Sequence, residues 1–139
     1  ILYCNKVVKY FYPIFKKNYP HPMAESIILK KSKSFALRII KLYKYLTEEK
    51  KEFVLSKQLL RSGTSIGANA KEGAYGQSKA DLCARLFVAQ KECAETEYWL
   101  ELLYESHYIN QPEFDSIYKD CQELMRLIVA STKTLQGKN

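Results

Sequence analysis

The sequence predicts an all-α fold, an antiparallel up-down-up-down four-helix bundle, on three observations. From Met23 onward, apolar residues recur at four-three spacing, the period that gathers one stripe on a helix. Helix-start signals stand where one stripe gives way to the next. Only five Gly and four Pro punctuate 139 residues, too few for the frequent turns of a sheet-rich fold. A chain of this length can bury a sizeable core as one domain without disulfides or a structural metal.

Residues 1–22 read as an N-terminal extension outside the bundle: rich in Tyr and Lys, holding three prolines, with no sustained period. The texture changes at Met23, which reads as the natural start of a bundle domain over residues 23–139. The apolar residues Val7, Val8, Tyr10 and Phe11 are interrupted by Lys6 and Lys9 and followed by Lys16 and Lys17, so they do not make the core of an export signal. No later run is long enough to span a bilayer, and a reduced, cytoplasmic setting without membrane contact is the expectation.

The first helix carries the stripe Phe35, Ile39, Leu42 and Leu46. The polar run Thr47 to Lys51 reads as its link to a second helix with Leu55, Leu59, Ser62, Ile66, Asn69 and Gly73 at the seam. Gly73 and Gly76 favour a break after it. Ser78 with Asp81 has the spacing of a side-chain cap, starting a third helix whose seam is Leu82, Leu86, Ala89, Cys93, Thr96, Leu100 and Leu103. Asn110 with Glu113 repeats that spacing, and Pro112 suits a first turn, where its missing N–H would be unpaired anyway. The fourth stripe is Phe114, Ile117, Cys121, Leu124, Ile128, Ser131 and Leu135. Short links make successive helices antiparallel neighbours.

Charge is polarised along the chain. The formal net charge is +7, divided as +4 over residues 1–22, +5 over 23–51 and −2 over 52–139. On a helical wheel Lys30, Lys33, Lys41 and Lys44 fall within an arc of about 80° on the side opposite the apolar stripe, over about 21 Å of helix. Such a stripe is a candidate contact for RNA or DNA phosphates, and in a lone helix also the ordinary solvated face.

The residues for catalysis do not assemble in sequence. Gly63 and Gly67 lack the Gly-Lys-Ser/Thr ending that makes a phosphate-binding loop, so Ser62, Gly63 and Gly67 read better as a close-packing helix surface. Glu92, Glu95, Glu97 and Glu101 lie on or near the flanks of helix three, but no Glu-x-x-His pair is present for a di-metal bundle, and a solvated or ion-paired face is the simpler reading. Cys4, Cys83, Cys93 and Cys121 form no C-x-x-C pair, which leaves buried thiol packing and no expected metal or cofactor. His21 and His107 stand alone, without a triad. An enzyme survives only if Asn69, Glu72, Glu92 and Glu95 converge on a concave site. Tyr98 and Trp99 read as packing or interface anchors.

QLLRSGTSIGAN at Gln58 to Asn69, followed by Glu72, Ser78, Asp81, Ala89, Lys91, Glu92 and ETEYWL at Glu95 to Leu100, closely resembles the four-helix-bundle proteins first noticed in intervening sequences of bacterial large-subunit ribosomal RNA genes, the 23S rRNA-intervening-sequence protein family. The resemblance spans about Lys33 to Leu127 and leaves residues 1–22 outside. It implies a ring-shaped homopentamer without known enzymatic activity. It also implies kinship to the accessory variability protein of diversity-generating retroelements, a pentamer that binds reverse transcriptase and nucleic acid. This sequence departs from that relative in charge, since the body from Met23 onward is only +3. The expectation is therefore a non-enzymatic homo-oligomeric assembly or adaptor protein. Ser62, Gly63, Gly67, Asn69, Tyr98 and Trp99 would serve helix packing or the oligomer contact. The alternative is nucleic-acid binding through the first helix, with a reverse transcriptase or another protein as a further partner class.

Overall fold

The computed structural model describes residues 22–138. Four helices follow one another: α1 (Pro22–Glu48), α2 (Leu55–Ala74), α3 (Lys79–Glu105) and α4 (Gln111–Leu135). The reading of residues 1–22 as an extension lies, Pro22 apart, outside the described residues, as do Cys4 and His21.

Contacts between side chains fix the directions. Ile39 and Ser32 of α1 meet Gly63 and Gly67 of α2, so the partners run in opposite order. Ser62 bonds Thr96 while Glu72 pairs with Arg85, and Tyr118 bonds Glu101 while Cys121 bonds Cys93, so α2, α3 and α4 alternate as well. The bundle closes where α4 packs on α1, leaving α1 and α3 across the diagonal from each other. The predicted four-helix bundle is the fold observed, and every helix is antiparallel to its neighbours.

The core is one continuous column. Phe35, Ile39 and Leu46 meet Leu59 and Ile66, the α3 seam, and Ile117, Leu124 and Ile128 of α4. All seven predicted α3 seam residues are buried. Elsewhere the seams drift. In α2 the buried set is Ser56, Leu59, Ser62, Gly63, Ile66, Ala70, Gly73 and Ala74, so Leu55 and Asn69 are only half-buried. In α1 Leu42 is half-buried while Ile28 and Ser32 extend the seam toward the N-terminus. In α4 the buried residue of the last turns is Thr132 and not Ser131, with Phe114 and Leu135 half-buried. A helix of 3.6 residues per turn gains about 20° per heptad on a strict seven-residue count, so a seam counted from one end slips by a residue toward the other.

The helix ends have visible causes. Ser78 accepts the Asp81 N–H at 3.1 Å, and Asn110 and Glu113 form a reciprocal capping box with Pro112 in the first turn. The first link differs from expectation: α1 takes up Thr47 and Glu48, and the start of α2 at Val54 is satisfied from two residues upstream by the side chain of Glu52. Its buried carboxylate accepts the Val54, Leu55 and Ser56 N–H groups at 3.0, 2.8 and 2.7 Å. Burial works against that charge, but these bonds more than offset it and hold the carboxyl below its ordinary range. His107 closes α3 in the left-handed region, φ 66°, and is exposed.

Candidate functional site

α2 is continuous through the glycines, so Gly63 and Gly67 shape no loop. They let α1 approach. A Cβ on Gly63 would lie 2.8 Å from Ile39 Cγ1, and one on Gly67 would lie 3.1 Å from Ser32 Oγ. Ser62 turns the other way, its hydroxyl 2.9 Å from that of Thr96 in a buried pair that also bonds the carbonyls of Leu59 and Glu92. The small residues of α2 thus draw in two neighbours: glycine toward α1, serine toward α3. Asn69 donates to the Ser65 carbonyl of its own helix at 2.8 Å.

Along the α2–α3 groove runs an acidic and basic row. Arg61 holds Glu95 in a short ion pair and lies 3.7 Å from Glu92 Oε2. Glu95 also accepts the Trp99 indole N–H at 3.1 Å. The Arg61 hydrogen bond holds the Glu95 carboxyl below its ordinary range. Glu92 differs: its Oε2 is buried without a hydrogen bond, and burial, against the attraction of Arg61, raises its pKa. Glu72 lies farther along and pairs with Arg85 at 3.1 Å. Glu92 and Glu95 therefore share Arg61, whereas Glu72 pairs with Arg85 and Asn69 bonds its own helix, so the four do not converge. Arg61 is the residue that sequence reasoning passed over, although its place in the QLLRSGTSIGAN stretch and the carboxylates opposite were both legible.

On the other side of α3, Tyr118 donates to Glu101 at 2.8 Å, and burial followed by this bond pushes its hydroxyl up to about 12. Burial and the charge of Glu101 raise Glu97. Cys93 and Cys121 are buried free thiols, Cys121 reaching the Cys93 carbonyl at 3.5 Å, while Cys83 is partly exposed. Among the described residues no three His, Cys, Asp or Glu side chains are grouped to hold a metal ion, and no helix is long and apolar enough to cross a membrane.

The basic surplus of α1 divides into two sets. Lys31 pairs with Glu123 at 2.8 Å, and Arg38 with Asp120 at 2.5 Å, both across to α4. Lys30, Lys33, Lys41 and Lys44 are exposed and form no ion pair with any described residue. Tyr98, 53% exposed, stands on the outer side of α3 with its ring edge-on to Trp99 at 5.1 Å. The structure thus places the lysine stripe and the aromatic pair on helices that face away from each other, and joins neither to the glycine contact.

The 23S rRNA-intervening sequence protein family model matches residues 24–130. A solved structure of a protein of unknown function from the S23 ribosomal protein family of Bacteroides thetaiotaomicron is 50% identical, with coverage of 80% of this chain and 99% of that one, and a TM-score of 0.79. No curated protein matches the sequence.

Proposed function

The chain belongs to the 23S rRNA-intervening sequence protein family, and from that premise we propose that it is a non-enzymatic homo-oligomeric assembly or adaptor protein, working in the cytoplasm as a ring-shaped homopentamer. The observation that carries this reading is Tyr98, a large aromatic residue left 53% exposed on a helix whose opposite face already fills the core. Tyr is enriched at protein interfaces because its ring is apolar and its hydroxyl can still be satisfied. The number five comes from the family resemblance. Light scattering across a size-exclusion peak tests it: five subunits are expected, and a monomer at a concentration on the order of 10 μM, where weak interfaces already associate, would sink the reading.

A second reading rests on Lys30, Lys33, Lys41 and Lys44, exposed and unneutralised by described residues. We propose as the alternative that this stripe binds RNA or duplex DNA, with weak contacts multiplied around the ring. Changing all four to Gln then lowers affinity and flattens the salt dependence, by about 0.7 to 0.9 in log–log slope per lost phosphate contact. If the parent binds neither nucleic acid at low salt, a protein partner is the better search, a reverse transcriptase included through the family resemblance.

A further inference from the structure

The outer face of α4 is polar and that of α1 is mainly basic, whereas the outer face of α3 is mainly apolar. α4 shows Asp115, Lys119, Gln122, Arg126 and Lys133 to solvent, and α1 shows its lysines. Opposite its core seam α3 exposes Ala80, Ala84, Phe87, Ala94 and Tyr98, with Val88 beside them and Lys91 the one charge in the line. These positions repeat the four-three spacing, so α3 carries two parallel seams, one filled by this subunit and one open over about 27 Å. A helix apolar on both sides is built to lie between two layers.

The candidate complement is on the same chain. At the centre of the α1 lysine stripe stands Leu37, 60% exposed, with Ile40 at its edge, 36% exposed. Charge matches as well as apolar character. The C-terminal half of α3 carries Glu97, Glu101 and Glu105, none in an ion pair with a described residue, while the four α1 lysines lack acids in the same sense. Pairing α3 with α3 of another copy would bring these glutamates toward their own kind, whereas pairing α3 with α1 brings opposite charges together. Since α1 and α3 lie across the bundle diagonal, each subunit offers the two faces in different directions, as a head-to-tail contact requires.

We infer that the outer face of α3, centred on Phe87 and Tyr98, docks on the Leu37 face of α1 of a second copy. This rests on the homo-oligomer reading and names its two surfaces. The same face of α1 cannot simultaneously hold a phosphate backbone, so neighbour and nucleic acid compete for it.

The test uses the full chain and two single variants, Phe87→Glu and Leu37→Glu, each destroying one face and leaving the other. Circular dichroism and the melting temperature verify that both are folded, and Tyr98→Glu replaces Phe87→Glu if that variant fails. Alone, each variant should run as a monomer. Mixed, they should form a two-subunit complex, because the intact α3 face of Leu37→Glu can still meet the intact α1 face of Phe87→Glu. If the parent is itself a monomer, the homo-oligomer reading fails and this inference with it. If the parent is an oligomer but either variant keeps its full mass, or the mixture stays monomeric, the assignment of surfaces is overturned and the oligomer reading stands.

Discussion

Glu52 and Glu92 are both withdrawn from solvent, and their surroundings favour opposite protonation states. Burial disfavours the charge of each, but Glu52 recovers through three backbone N–H groups at the α2 terminus, whereas Glu92 Oε2 has no hydrogen bond. The folded pKa of Glu52 lies below its ordinary 4.5, so its contribution is complete above the unfolded value and is lost as pH falls through the folded one. Glu52→Gln should cost about 1 kcal/mol at pH 7, the worth of a helix cap, and should blunt the acid loss of stability measured by thermal melts from pH 7 to about 3. The folded pKa of Glu92 is raised, so the stability linked to its protonated form is complete below the unfolded value and is lost as pH rises through the folded one. Glu92→Gln should therefore raise stability at pH 7 by less than about 1 kcal/mol, because Arg61 attraction is surrendered too, and this reads out as a higher melting temperature. A lower melting temperature would show that the ion pair outweighs burial.

Between elements, α1 meets α2 at two glycines, and the two are not equivalent. Gly63 faces both γ-carbons of Ile39, at 2.8 and 2.9 Å from a would-be Cβ, and a β-branched chain in a helix has essentially one rotamer. Gly67 faces the Ser32 hydroxyl and Cβ at 3.1 and 3.3 Å, where a shift of a few tenths of an ångström suffices for a methyl group. Gly63→Ala should thus destabilise by overpacking, about 1 to 3 kcal/mol less the gain of up to about 1 kcal/mol in helix propensity. Gly67→Ala should be near neutral, and Gly67→Leu should join Gly63→Ala. Melting curves of the three variants rank them, and equal losses for the two alanines would refute the distinction. The start of α4 was legible element by element, since Asn110, Pro112 and Glu113 act within one turn of their own helix. The start of α2 was not, because Glu52 looks like one more charge in a polar link until the chain folds its carboxylate under the first turn.

For the whole molecule, net charge is a poor guide to which charges are available. α4 neutralises Lys31 and Arg38, and what remains on α1 is a lysine stripe around an exposed leucine. If that face seats α3 of a neighbour, the contact combines an unscreened apolar seam with a screened charged rim. Raising salt from about 0.05 to 0.5 M should then weaken assembly by no more than about tenfold in Kd, as the Debye length shrinks below the reach of rim charges. Sedimentation at several salt concentrations measures this, and complete dissociation would mark the contact as chiefly ionic.

By itself the sequence determined what depends on spacing along one helix: four helices, their order, the caps at Ser78 and Asn110, and the α3 seam to the residue. Antiparallel neighbours followed from short links. Only the tertiary structure decided which residues of different helices meet: that Gly63 and Gly67 serve α1, that Arg61 collects Glu92 and Glu95, and that Asn69 and Glu72 stay apart from them. It also decided what is left over, the outer face of α3. A helical period places a residue on a face, but whether that face is covered depends on where every other helix lies, and that is settled by the packing of the whole bundle.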